Sequence, residues 1–265
     1  MTMLPPVSAP LPTVNKWARP LTTSDPIKWL SQGWEDFRTE MPLSLVYGVI
    51  VLAISIALVA GLIASKRDYI LFPVFAGFMV VGPILAVGLY EKSRRIEQGK
   101  PLRLQSMFFV QPASGGQILF TGVLLCLLMI VWIRAAVLIY ALFFGMVAFP
   151  GLDRVASMLF TTTTGWAMLV VGTLVGGLFA AFSFAISTFS IPMLVDQRTD
   201  AFTAMGSSMA LVWNNLGVLL IWAAIVLALF LASLATGMLA LVVIYPLLGH
   251  ATWHAYRAVR PEVTP

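Results

Sequence analysis

The stretch "QILFTGVLLCLLMIVWIRAAVLIYALFFGMVAF", residues 117–149, decides the class of this fold. It runs for about 33 residues with one charge, Arg134, and as a helix would be roughly 50 Å long, against about 20 residues for a bilayer span. A segment this apolar and this long belongs in a membrane, yet it exceeds one upright crossing. Arg134 lies about 26 Å along it from Gln117, near the far boundary, where a long basic side chain reaches back to the surface. Asp153 is its candidate partner, and residues 135–149 are expected to continue outward or to lie in the interface.

The rest of the chain has the same character. It is 60% hydrophobic and 10% charged, with a mean hydropathy of +0.94, whereas soluble domains carry about 25% charged residues. Further apolar runs cover 43–64 and 70–90, joined by "SKRDY", then 165–195 and 216–249. The last run is long enough to divide at "ATGM" (235–238), into 216–235 and 238–256. The expected fold is therefore all-α: a polytopic membrane helix bundle with six transmembrane helices. The proline-rich residues 1–24 lack the apolar core of a signal peptide and read as a disordered cytoplasmic tail, with 261–265 a second short tail. Cys126 has no partner in the chain, so no intramolecular disulfide forms.

Six crossings put both termini on one side. That side would carry Lys16, Arg19, Lys28, Arg38, Lys92, Arg94, Arg95, Lys100, Arg103, Arg198, Arg257 and Arg260, against Lys66, Arg67 and Arg154 on the other. The positive-inside rule then makes both termini cytoplasmic, in a plasma membrane. The net charge of +5 sits at membrane boundaries and gives no indication of nucleic acid.

Three helix ends repeat one pattern: "VGPILAVGLYEK" (81–92), "SIPMLVDQRTDA" (190–201) and "IYPLLGHATWHA" (244–255). Each is preceded, one span earlier, by an amphipathic lead-in beginning near 25, 100 and 199. The membrane domain, 25–260, thus reads as three parallel pseudo-repeats, 25–92, 100–198 and 199–257, each an interfacial helix plus a transmembrane hairpin. Pro83, Pro192 and Pro246 would kink the returning helices equivalently, as a packing device. Gly172 and Gly176 form a close-packing pair. Trp29, Trp34, Trp253 and Tyr256 are candidate interface anchors.

The stretches "PLLGHATWHAYRAV" (246–259) and "SIPMLVDQRTDAFTAMGSS" (190–208) resemble DUF2189, a family of uncharacterised bacterial integral membrane proteins. The resemblance covers about 25–260, is most specific at 246–257, and implies no activity. Some family members carry a cytochrome oxidase subunit I label, which two histidines cannot support here.

Counting from the repeat prolines, Glu91, Asp196, Asp200, His250 and His254 fall on equivalent turns and could converge at one cytoplasmic mouth. Two imidazoles with carboxylates suit a divalent metal; a hydrogen-bonded cluster that locks the repeats together is the plainer reading, with no cofactor. No phosphate loop, nucleophile elbow or zinc-protease motif is present. The expected role is a non-enzymatic accessory, assembly or scaffold protein acting through membrane lipids or another membrane protein complex. The alternatives are an uncoupled small-solute channel or transporter along a pseudo-threefold axis and a metal-binding membrane protein.

Overall fold

The computed structural model describes residues 15–145 and 149–260. Residues 1–14 and 261–265 of the expected tails, and the side chain of Asp153, lie outside the described residues. All regular structure among the described residues is helical. In chain order the helices are α1 (Asp25–Arg38), α2 (Met41–Ala64), α3 (Leu71–Leu85), α4 (Val87–Glu97), α5 (Leu104–Phe108) and α6 (Gly115–Phe144). There follow α7 (Leu152–Thr161), α8 (Thr163–Ser187), α9 (Ser190–Asp196), α10 (Ala201–Asn214), α11 (Leu216–Ala235) and α12 (Leu241–Val259).

Five segments are long and apolar enough to cross a membrane: Met41–Ala64, Asp68–Glu97, Gly115–Phe144, Thr163–Asp196 and Leu216–Ala235. Inside lipid a helix satisfies all its own backbone groups, so apolar runs without charge fold this way whatever their side-chain propensities. The expected sixth, α12, is not among the five. Its second half carries His250, Thr252, His254 and Arg257, and it is enclosed by protein instead. It packs against α1, α2, α4 and α11, while α3, α6 and α8 form a second group.

The two ends of the described chain meet. The Arg19 guanidinium donates to the Arg260 carbonyl, and Asn215 holds the backbone of Trp17 and Arg19 by two hydrogen bonds of 2.8 Å. Residues 15–24 are therefore folded onto the bundle rather than part of a disordered tail, because Trp17 and Leu21 have apolar surface to cover. This is the terminal end of the molecule; the turns at 65–70 and 236–240 mark the hairpin end.

The three prolines are not equivalent. Pro83 lies three residues before a break at Ala86, Pro192 follows the break between α8 and α9, and α12 passes through Pro246 unbroken. Neighbouring hydroxyls cover both breaks. Tyr47 donates to the Leu85 carbonyl and Tyr245 to that of Gly82, while Ser208 bridges the Ala185 carbonyl and the Phe189 N–H. At Pro246 the missing N–H frees the Val242 carbonyl, which faces Gly48 so closely that a Cβ there would overlap it. Gly33 makes the same kind of approach, to Ala251 on α12. Of the predicted glycine pair, a Cβ added at Gly176 would press on the Trp132 ring but one added at Gly172 would meet nothing within 4 Å, so the pair is not a two-point helix contact.

Helix α6 continues past Arg134 to Phe144, and Arg134 is exposed on it. The spans bury little: Leu119, Leu142 and Leu178 are each 73% exposed, as lipid-facing side chains must be. The fully buried residues cluster at the terminal end, around Leu89, Leu194, Val195, Trp253 and Tyr256.

Candidate functional site

At the terminal end, α1, α4, α9 and the second half of α12 bring almost all the buried ionisable groups together. The centre is His250, with no exposed surface. Its Nε2 lies 3.0 Å from the Ser44 hydroxyl and its Nδ1 lies 2.9 Å from that of Ser93. Lys92, equally buried, donates to Ser44 Oγ at 2.7 Å and to the Asp36 carbonyl at 3.1 Å, with Glu40 as a longer third acceptor. An ammonium can only donate, so Ser44 Oγ accepts from Lys92. Ser44 and Ser93 stand within hydrogen-bond distance of the two ring nitrogens of His250, and which of them donates is set by the imidazole tautomer.

The acceptors of Lys92 explain why a buried lysine is tolerated. Asp36 is in the last turn of α1, where carbonyls lack intrahelical partners and the helix dipole is negative. Lys92 thus caps α1 from another helix. Asp36 also accepts, through its carboxylate, a 2.9 Å hydrogen bond from His254 Nε2. One turn of α1 therefore holds both α4 and α12.

The five residues expected at one mouth are distributed over separate contacts. Glu91 pairs with Arg94 and Arg95 on its own helix. Asp196 accepts from Tyr256 at 2.9 Å and pairs with Arg260 at 2.7 Å, with Arg257 at 3.7 Å. Asp200 caps α10 by accepting from the Thr203 N–H at 2.9 Å, and hydrogen bonding by the Thr203 side chain, then by its N–H, holds the pKa below the usual carboxylate value. His250 and His254 belong to the two contacts above. The convergence of Glu91, Asp196, Asp200, His250 and His254 is thus corrected: equivalent counts from the prolines do not bring them together, because the helix breaks differ. Among the described residues, no group of three or more His, Cys, Asp or Glu side chains is placed to hold a metal ion.

The expected anchors divide as well. Trp34 is exposed and stacks on Phe37. Trp29 is buried edge-on against Trp222, and Trp253 and Tyr256 are core. Their helices are covered by protein, so no aromatic belt can form there. Asp25 precedes Pro26, in the order of an N-cap before a proline at N1, yet it does not cap α1. It is the first helical residue, and its carboxylate binds Lys28 and the Thr22 N–H, which lower its pKa.

Two cavities are lined almost wholly by apolar side chains. One, of about 730 Å³, lies at the hairpin end between α6, α7 and α8. The other, of about 470 Å³, lies between α2, α3, α5 and α6. Sequence reasoning missed Ser44, Ser93 and Asp36 and counted Lys92 only as a boundary charge. The available signal was Lys92 and Ser93 sharing the face of Gly88 and Leu89, all of them buried.

The model of the family DUF2189, a predicted integral membrane protein, matches residues 71–196, from the start of α3 to the end of α9. The match stops short of 246–257, where the resemblance was sharpest. No curated protein and no solved structure matches the chain.

Proposed function

We propose that this integral membrane protein is a non-catalytic accessory or scaffold component of the bacterial inner membrane, working through a protein or lipid partner. One observation carries this reading. Each of the five candidate acid–base or ligand residues is already engaged in a structural contact, four in ion pairs or hydrogen bonds and Asp200 in a helix cap. A catalytic or metal site needs such groups convergent on a cleft. Here the same groups fasten helices together, and the cavities are apolar.

In this reading α12 is a sixth, protein-enclosed crossing and the terminal end faces the cytoplasm, as its excess of Lys and Arg favours. A threefold repeat is supported by the element order, short helix, long helix and returning helix, taken three times. The ends of α2 and α11 support it too. Both close with paired backbone bonds, Lys66 to Ile63 with Arg67 to Leu62, and Gly237 to Leu234 with Met238 to Ser233.

Purification from native membranes in mild detergent tests the role. A stoichiometric membrane-protein partner that survives washing and cross-links to the terminal end is the expected result. A bare monomer, or bound metal that is lost in His250→Ala, contradicts it.

A further inference from the structure

The groove of about 470 Å³ at the terminal end is a lateral cleft in the bundle. Its back is buried, at Val51, Met107 and Ile118; its mouth is exposed, at Ile54, Leu85 and Phe108. Along α2 it runs from Tyr47 to Ser55, about 12 Å by helical rise, close to the roughly 15 Å of one leaflet's hydrocarbon. The volume lies within the ordinary range of ligand sites, about 300–1,000 Å³.

The walls specify what fills it. The two hydroxyls in the lining already donate to backbone, Tyr47 to Leu85 and Ser55 to Val51. Water entering the cleft would find few of the partners it needs. Hydrocarbon from the adjacent bilayer loses nothing there, and a void of this size is foreign to packed protein. The segment leading into α5 carries Lys100 and Arg103, seven and four residues before the lining residue Met107, both exposed and without an ion-pair partner among the described residues. Residues 98–118 include no acidic side chain. A cationic segment leading into one wall of an apolar slot complements a lipid with an anionic headgroup.

We propose that this groove binds one acyl chain of an anionic phospholipid from the leaflet at the terminal end, with its phosphate held by Lys100 and Arg103. The site and the accessory role are separable, since either can exist without the other. The test is delipidated full-length protein titrated with phosphatidylglycerol or phosphatidylcholine and read by native mass spectrometry. One tightly retained phosphatidylglycerol per chain is expected. Ser55→Phe, which puts a ring into the groove, should weaken retention at least about tenfold; Ile56→Phe, on the exposed face of the same helix, should not. The double variant Lys100→Gln/Arg103→Gln should cut the preference for phosphatidylglycerol about thirtyfold, since each basic residue near a membrane surface contributes about fivefold. Equal retention of the two lipids by the unaltered protein overturns the headgroup assignment. Retention unchanged in Ser55→Phe, with melting temperatures showing that both variants fold, overturns the site. Neither result bears on whether a protein partner copurifies.

Discussion

Lys92 is the residue on which the terminal end depends. Its ammonium joins the end of α1 to Ser44 on α2, and through Ser44 to His250 on α12. Replacing it with Ala leaves carbonyls and a hydroxyl buried without a donor, a loss of about 3 kcal/mol. Lys28→Ala, which removes a pair in which Lys28 is 63% exposed, should cost no more than about 0.5 kcal/mol. Denaturant unfolding in one detergent measures both. Asp200 gives a pH prediction. Its folded pKa lies below the ordinary 3.8, so its cap is in place above that value and is lost as pH falls through the folded pKa. Exchange of the Thr203 amide, corrected for intrinsic rate, should rise only in that acid range, and Asp200→Asn should abolish the step. Histidine chemistry was visible in the chain as a pair four residues apart. Its partners were not, because Ser44 and Asp36 lie more than two hundred residues away and no local pattern marks them.

At the scale of elements, close backbone approach decides the packing of α12. A Cβ on Gly48 would overlap the Val242 backbone, whereas a Cβ on Gly61 of the same helix meets nothing within 4 Å. Gly48→Ala should therefore destabilise by about 2 kcal/mol, as overpacking does. Gly61→Ala should be neutral or stabilising by up to about 1 kcal/mol, through helix propensity; thermal melting separates the two. The five apolar runs were legible because their length carries them, whereas the sixth crossing expected at 238–256 is not among the spans. The glycine contacts were not: Gly172-xxx-Gly176 has the familiar spacing but only Gly176 meets another helix, while Gly33 and Gly48 have no motif around them. The prolines misled in the same way. A proline marks where a helix can break, but Tyr47, Tyr245 and Ser208 determine which breaks are covered.

For the whole molecule, the core lies at one end of the bundle rather than along its length. The spans present apolar flanks to lipid, and the terminal end is tied by the Lys92–His250 and Asp36–His254 contacts and by Asp196 with Tyr256 and Arg260. α12 enters this end with ten of its nineteen residues buried, and its polar half keeps it out of the five spans. The proposed six-crossing topology therefore depends on whether α12 returns the chain to the side of its start. Single cysteines at Ser65, Thr236, Thr199 and Ala258, in a Cys126→Ala background, test this with a membrane-impermeant maleimide on intact cells. The account predicts labelling at 65 and 236 from outside, and at 199 and 258 only after the inner membrane is opened. Labelling of 236 and 258 from the same side would contradict it.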